Sequence, residues 1–264
     1  MISLSDIHVT FNAGTPLETK AIRGIDLSIP AGQFVAVIGS NGAGKSTLLN
    51  VLTGDAPLTR GRVVIDETDV STWPAPRRAG MVARVFQDPM AGTCEGLSIE
   101  ENMALAAARG GRRGLGAALT HDRRGTFRER LAELGLGLED RLGDRMGQLS
   151  GGQRQAVSLL MATLADMRIL LLDEHTAALD PRIASFVLEL TRRFVESFHL
   201  TALMVTHSMR QALDYGDRTV MLHEGKIVFD VSGDERSKLD VPHLVELFSK
   251  VRGETLDDDA LLLG

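Results

Sequence analysis

Gly39-Ser40-Asn41-Gly42-Ala43-Gly44-Lys45-Ser46-Thr47 constrains this chain more than any other stretch. It fits the pattern G-x-x-x-x-G-K-[ST], whose glycines let backbone N–H groups turn inward around phosphate oxygens. Its flanks are those the pattern needs. Gln33-Phe34-Val35-Ala36-Val37-Ile38 reads as a buried strand, and Leu48-Leu49-Asn50-Val51-Leu52-Thr53 as a helix closed by Gly54. A strand, a glycine loop and a helix N-terminus make an anion cradle, to which the helix dipole adds. In it Lys45 reaches the β- and γ-phosphates and the Ser46 hydroxyl is a ligand for Mg2+. A glycine-rich turn with a chance lysine does not account for eight matched positions in this context. The expectation is a nucleoside triphosphate site in an α/β core.

Composition narrows the setting. The 264 residues suit one large domain, or a core with a subdomain. Hydrophobic content of 44% and charged content of 24% are ordinary for a soluble protein, and no apolar run approaches the ~20 residues that span a bilayer. The first eleven residues alternate apolar and polar, without the pattern of a secretory leader. The single cysteine, Cys94, rules out an internal disulfide and suits a reducing cytosol. A net charge of −6 argues against a general nucleic-acid binder.

Ile2, Leu4, Ile7, Val9 and Phe11 suggest a half-buried strand whose register slips between Leu4 and Ile7. With Ile25-Asp26-Leu27-Ser28-Ile29 and Arg62-Val63-Val64-Ile65 it predicts an antiparallel sheet around the phosphate-loop core. Residues 81–86 read as a strand leading into Gln87, and residues 98–164 as helical, broken by a loop at 110–114. Residues 219–229 read as a hairpin turning at Glu224-Gly225, and the last dozen residues as an acidic tail. No internal repeat is present, so the chain carries one nucleotide site.

Ile169-Leu170-Leu171-Leu172-Asp173-Glu174 is a buried strand ending in two carboxylates. In a phosphate-loop fold such a strand is expected beside the phosphate-loop strand, with Asp173 facing the Mg2+ and Glu174 placed to polarise an attacking water. A core strand capped by surface acids is the plain alternative.

Leu149-Ser150-Gly151-Gly152-Gln153 opens a helical run just upstream of that strand. Here the chain resembles the ATP-binding cassette (ABC) ATPases, of which Leu-Ser-Gly-Gly-Gln is the signature. The resemblance covers residues 1–230, with the hallmarks in family order. It implies an ABC ATPase domain over 1–230, with a phosphate-loop NTPase core, an antiparallel β subdomain and an inserted helical subdomain at about 90–165; residues 231–264 follow as a helix and the acidic tail. It implies ATP contacts at Phe11, which stacks on adenine, and along Gly39, Ser40, Asn41, Gly42, Ala43, Gly44, Lys45, Ser46 and Thr47. Mg2+ falls to Ser46, Gln87 and Asp173, and catalysis to Glu174, His207 and Gln87. Two copies pair head to tail, so that Ser150, Gly151, Gly152, Gln153 and Asp180 serve the nucleotide held by the opposite copy. Two positions depart from the family. His175 stands where proline is common, and Ala177 where the loop before Asp180 usually has serine.

About a hundred residues separate the phosphate loop from the signature, without sustained heptads, so a coiled-coil DNA-repair relative does not fit. Two readings stay open. One is the ATPase subunit of a membrane transporter, peripheral on the cytoplasmic face of the membrane, with separate transmembrane permease subunits and an extracytoplasmic binding protein. The other is a soluble assembly ATPase of the iron–sulfur scaffold type. Asp144-Arg145-Met146-Gly147-Gln148 lacks the Thr-x-Val-Gly-Glu-like segment of many exporters, which favours import of a small solute, such as an amino acid, over export or lipid extraction. Arg109, Arg112, Arg113, Arg123, Arg124, Arg128 and Arg130 against Asp122 and Glu129 give a local charge of +5. That stretch either faces an anionic leaflet or an acidic loop of a membrane subunit, or is a solvated loop.

Overall fold

The computed structural model describes residues 1–111 and 118–252. Strands β1 (Ile2–Phe11), β2 (Thr19–Ile29) and β3 (Phe34–Gly39) lead into helix α1 (Lys45–Thr53). Then come β4 (Arg60–Ile65), β5 (Thr68–Asp69), the short α2 (Ala75–Arg78) and β6 (Val82–Val85). Helices α3 (Ile99–Ala107), α4 (His121–Ala132) and α5 (Gly151–Ala162) follow, with a 3-10 turn at Met146–Gln148. The chain continues with β7 (Ile169–Asp173), α6 (Pro181–Ser197), β8 (Thr201–Val205) and α7 (Met209–Tyr215). It ends in β9 (Arg218–His223), β10 (Lys226–Ser232), α8 (Gly233–Ser237) and α9 (Val241–Arg252).

Two compact units divide these elements. The first joins Met1–Arg78 to the chain from His199 onward. Its outer sheet has the order β2-β1-β4-β5, antiparallel throughout. The slip expected in β1 is present: its register against β2 shifts between Leu4 and Ile7, where Asp6 takes φ +48°. An extra residue at that point keeps Leu4, Ile7 and Val9 on the buried side. In the same unit β3 runs parallel to both β8 and β9, and β10 closes the hairpin antiparallel to β9. Phe34 to Ile38 and the whole of β8 are buried, the continuous apolar pattern of parallel strands covered on both faces. Since β8 and β9 take both edges of β3, the acidic strand is not its hydrogen-bonded neighbour, contrary to the expectation.

The second unit, Ala79–Phe198, pairs β6 with β7 in parallel and adds α3 to α6, of which α5 packs on β6. Residues 98–164 are helical in three pieces and not as one run. Leu134-Gly135-Leu136-Gly137-Leu138 has a helix-like apolar composition, but both glycines sit at φ near +66°, which interrupts any helix. Three helices announce their starts. Ser98 and Ser150 form capping boxes with Glu101 and Gln153, and Asp180 Oδ1 accepts from Ile183 N–H at 3.2 Å ahead of Pro181. Helix α6 then buries Ala184, Val187, Leu188, Thr191, Phe194 and Val195, a stripe at helical spacing.

Part of the expected loop at 110–114, with Arg112 and Arg113, lies outside the described residues, as does the acidic tail. Of the remaining arginines in that stretch, Arg124 pairs with Glu100, Arg130 with Glu133, and Arg109 donates to the Met161 carbonyl. Among the described residues no helix is long and apolar enough to cross a membrane.

Candidate nucleotide site

The first unit holds the phosphate loop between the end of β3 and the start of α1. Its pattern glycines answer to specific neighbours. A Cβ on Gly39 would lie 2.3 Å from the Leu222 carbonyl oxygen of β9, and one on Gly44, at φ +102°, 2.7 Å from the Ala21 carbonyl oxygen of β2. The hairpin β9–β10 braces the loop directly, since Gly225 N–H donates to the Ala43 carbonyl at 3.0 Å. Sequence reading placed that turn but not its contact. Lys45 is 5% exposed, and its Nζ donates to the Gly39 carbonyl at 2.7 Å and the Ser40 carbonyl at 3.0 Å, which holds the ammonium across the loop.

The opposite end of α1 is closed by Gly54, whose N–H donates to the Asn50 carbonyl, and by Arg78. Arg78 is 2% exposed. Its Nη1 donates to the Val51 and Leu52 carbonyls at 2.6 and 3.2 Å, its Nη2 to Val70 at 2.6 Å and its Nε to Trp73 at 3.0 Å. Burial pushes its pKa below the usual arginine value, but a guanidinium stays charged at any ordinary pH. The cation therefore sits at the negative pole of α1, and the positive pole faces the phosphate loop.

His207 is exposed one residue beyond the point where Thr206 N–H donates to the Val37 carbonyl. It leaves the carboxyl end of β8 as the phosphate loop leaves that of β3, the end of a parallel sheet where ligands bind. Its turn is pinned on both sides. Ser208 N–H donates to Thr206 Oγ1 at 3.1 Å, and Ser208 caps α7. Phe11, at the end of β1, is 38% exposed, an aromatic face open to a base.

The second unit carries the acidic and signature residues. Asp173 ends β7 in an ion pair with Arg84 of β6. Glu174 follows at φ +47°, in the left-handed region that a non-glycine residue rarely occupies. Gln87 is exposed just past β6, and the preceding peptide is held by Gln155 of α5, whose Nε2 donates to the Phe86 carbonyl at 3.1 Å. Ser150 and Gly151 are exposed at the N-terminus of α5, where Ser150 Oγ accepts from Gln153 N–H. Asp180 is exposed and caps α6, so its carboxylate also has a structural task. Arg84 and Gln155 were not singled out in the sequence, because neither belongs to a motif and each contact joins distant segments.

The donors proposed for Mg2+ are a hydroxyl, an amide oxygen and a carboxylate, all hard oxygen ligands that fit this ion. Among the described residues no group of three or more His, Cys, Asp or Glu side chains could hold a metal by itself.

Residues 22–177 match the family described as ABC transporter. A tyrosine transport ATP-binding protein of Clostridioides difficile (strain R20291) is 43% identical over 248 residues, covering 94% of this chain and 98% of that protein. A phosphonates import ATP-binding protein of Pseudomonas savastanoi pv. phaseolicola (strain 1448A / Race 6) is 34% identical, covering 94% of this chain and 91% of the relative. Among solved structures, a dimeric post-hydrolysis ATP-binding cassette bound to ADP and Pi aligns with a TM-score of 0.76 at 28% identity, covering 88% of this chain and 98% of that one.

Proposed function

The chain belongs to the ABC transporter family as an ATP-binding subunit with ATPase activity, and from that premise we propose that it powers import of a small solute through separate membrane subunits. One observation carries the transporter reading furthest. The chain spans nearly the whole length of stand-alone ATP-binding relatives named for tyrosine transport and phosphonates import. An amino acid is the cargo class that the first of these names supports.

We assign the chemistry as follows. Phe11 stacks on the adenine, the backbone from Gly39 to Thr47 cradles the phosphates, and Lys45 offsets their charge. Ser46, Gln87 and Asp173 would hold Mg2+, which when bound neutralises charge on the phosphate oxygens. Glu174 polarises the attacking water and His207 steadies the γ-phosphate. A second copy pairs head to tail, and the helix terminus of Ser150, Gly151, Gly152 and Gln153, with Asp180, closes over the nucleotide of that copy.

The test is capture of partners on tagged Glu174→Gln from detergent-solubilised host cells with ATP and Mg2+, read by mass spectrometry. A polytopic membrane protein co-purifying with an extracytoplasmic binding protein supports the importer. Soluble scaffold proteins alone would replace this reading with an assembly ATPase.

A further inference from the structure

Glu174 is followed by His175, a residue that the site chemistry above does not use. The turn it enters is tight: Glu174 has φ +47°, and Ala177 N–H donates to the Glu174 carbonyl at 2.9 Å. His175 is 2% exposed, and its Nε2 lies 3.1 Å from Thr191 Oγ1 on α6. Thr191 is fully buried, and its hydroxyl donates to the Val187 carbonyl at 2.8 Å. A hydroxyl has one hydrogen to give. With that hydrogen on Val187, the ring nitrogen must be the donor in the His175–Thr191 bond. Nε2 of His175 therefore carries a proton, and burial, which pushes the pKa down to about 4, leaves it the ring's only proton at neutral pH.

We propose that His175 is a positioning residue whose hydrogen bond to Thr191 bolts the turn bearing Glu174 onto α6 and sets the direction of the Glu174 carboxylate. Proline stiffens such a turn through its own ring, by fixing φ. Here the stiffness comes from an anchor ten residues past Pro181, within the helix that Asp180 caps. The left-handed conformation of Glu174 is strained and persists only where its surroundings hold it. The buried imidazole is the side chain next in sequence that holds it.

The inference rests on Glu174 as the residue acting on water, so the experiment tests both. ATP turnover and binding of a fluorescent ATP analogue are measured on the full chain and on Thr191→Val, His175→Ala, His175→Gln, Glu174→Gln and Glu174→Gln/Thr191→Val. Valine keeps the volume of threonine without the acceptor, and glutamine carries an amide donor in the place of Nε2. Thr191→Val and His175→Ala should lower kcat about ten-fold or more, the scale of a misplaced catalytic group, with KM and analogue affinity unchanged. His175→Gln should recover most of the rate lost in His175→Ala. Adding Thr191→Val to Glu174→Gln should slow it no further. Normal turnover of Thr191→Val beside a dead Glu174→Gln overturns the role of His175 alone, whereas normal turnover of Glu174→Gln removes the premise. An equal slowing by Thr191→Val in both backgrounds, or loss of nucleotide binding with the rate, also overturns the proposal.

Discussion

Arg84 Nη2 donates to Asp173 Oδ2 at 2.5 Å across β6 and β7, with the two side chains 13% and 14% exposed. The guanidinium also lies 4.8 Å over the ring of Phe86, which immediately precedes Gln87. A cation on a carboxylate assigned to Mg2+ is a competitor for that carboxylate. Arg84→Met keeps the stem and removes the charge. Unfolding free energy should fall by about 2 kcal/mol, because a largely buried carboxylate loses a charged donor. Mn2+ should bind with ADP on the order of ten-fold more tightly, the same interaction read from the metal's side. Denaturant titration and paramagnetic resonance of Mn2+ measure the two effects, and unchanged Mn2+ affinity would show that Arg84 does not compete.

Gly44→Ala forces a side chain into a left-handed position already filled by the Ala21 carbonyl. The loop must open or β2 must move. ATP affinity should fall at least about ten-fold, and stability by about 1–3 kcal/mol. Equilibrium binding and a thermal scan on one preparation check both, and a variant with native affinity would contradict the bracing by β2.

Lys45→Ala and Glu174→Gln should separate binding from chemistry. The first removes the phosphate-facing charge and weakens nucleotide binding itself. The second leaves binding intact and slows hydrolysis by at least about 100-fold, in line with loss of a general base. Near-normal turnover in Glu174→Gln would move that role to another group.

Acid should weaken the fold through His175. Its folded pKa of about 4 lies below the ordinary 6.5, so the unfolded chain binds the proton more readily. The contribution is present in full above pH 6.5 and is lost as pH falls towards 4, by about 2 kcal/mol at pH 5. Urea titrations at pH 7.5 and pH 5 should show a smaller acid loss for His175→Gln than for the parent chain. Equal losses would place the acid sensitivity elsewhere.

How much of this was legible beforehand depended on how local each signal was. The strand entering the phosphate loop, the Gly54 closure of α1 and the turn at Glu224-Gly225 are short-range features, and all are where the sequence placed them. The slip in β1 was readable because Leu4 and Ile7 break a period of two. Residues 133–149 were misread as helix, since leucine content outweighed the glycines between them. Arg84–Asp173, Gly225–Ala43 and Gln155–Phe86 were invisible for a different reason. Each joins segments far apart in the chain, 89 residues in the first case, and nothing in either segment names its partner.

Arg78 deserves to be read from the standpoint of anyone altering this protein. Its five carbonyl partners come from the end of α1 and from the segment that includes Val70, Ser71 and Trp73. That segment looks like a free site for a graft, a tag or a shortened loop. It is fastened, through one cation, to a helix whose other end, about 14 Å away, cradles phosphate. Loop surgery there would strip partners from a buried cation, so a loss of stability and a defect in ATP affinity would arrive together.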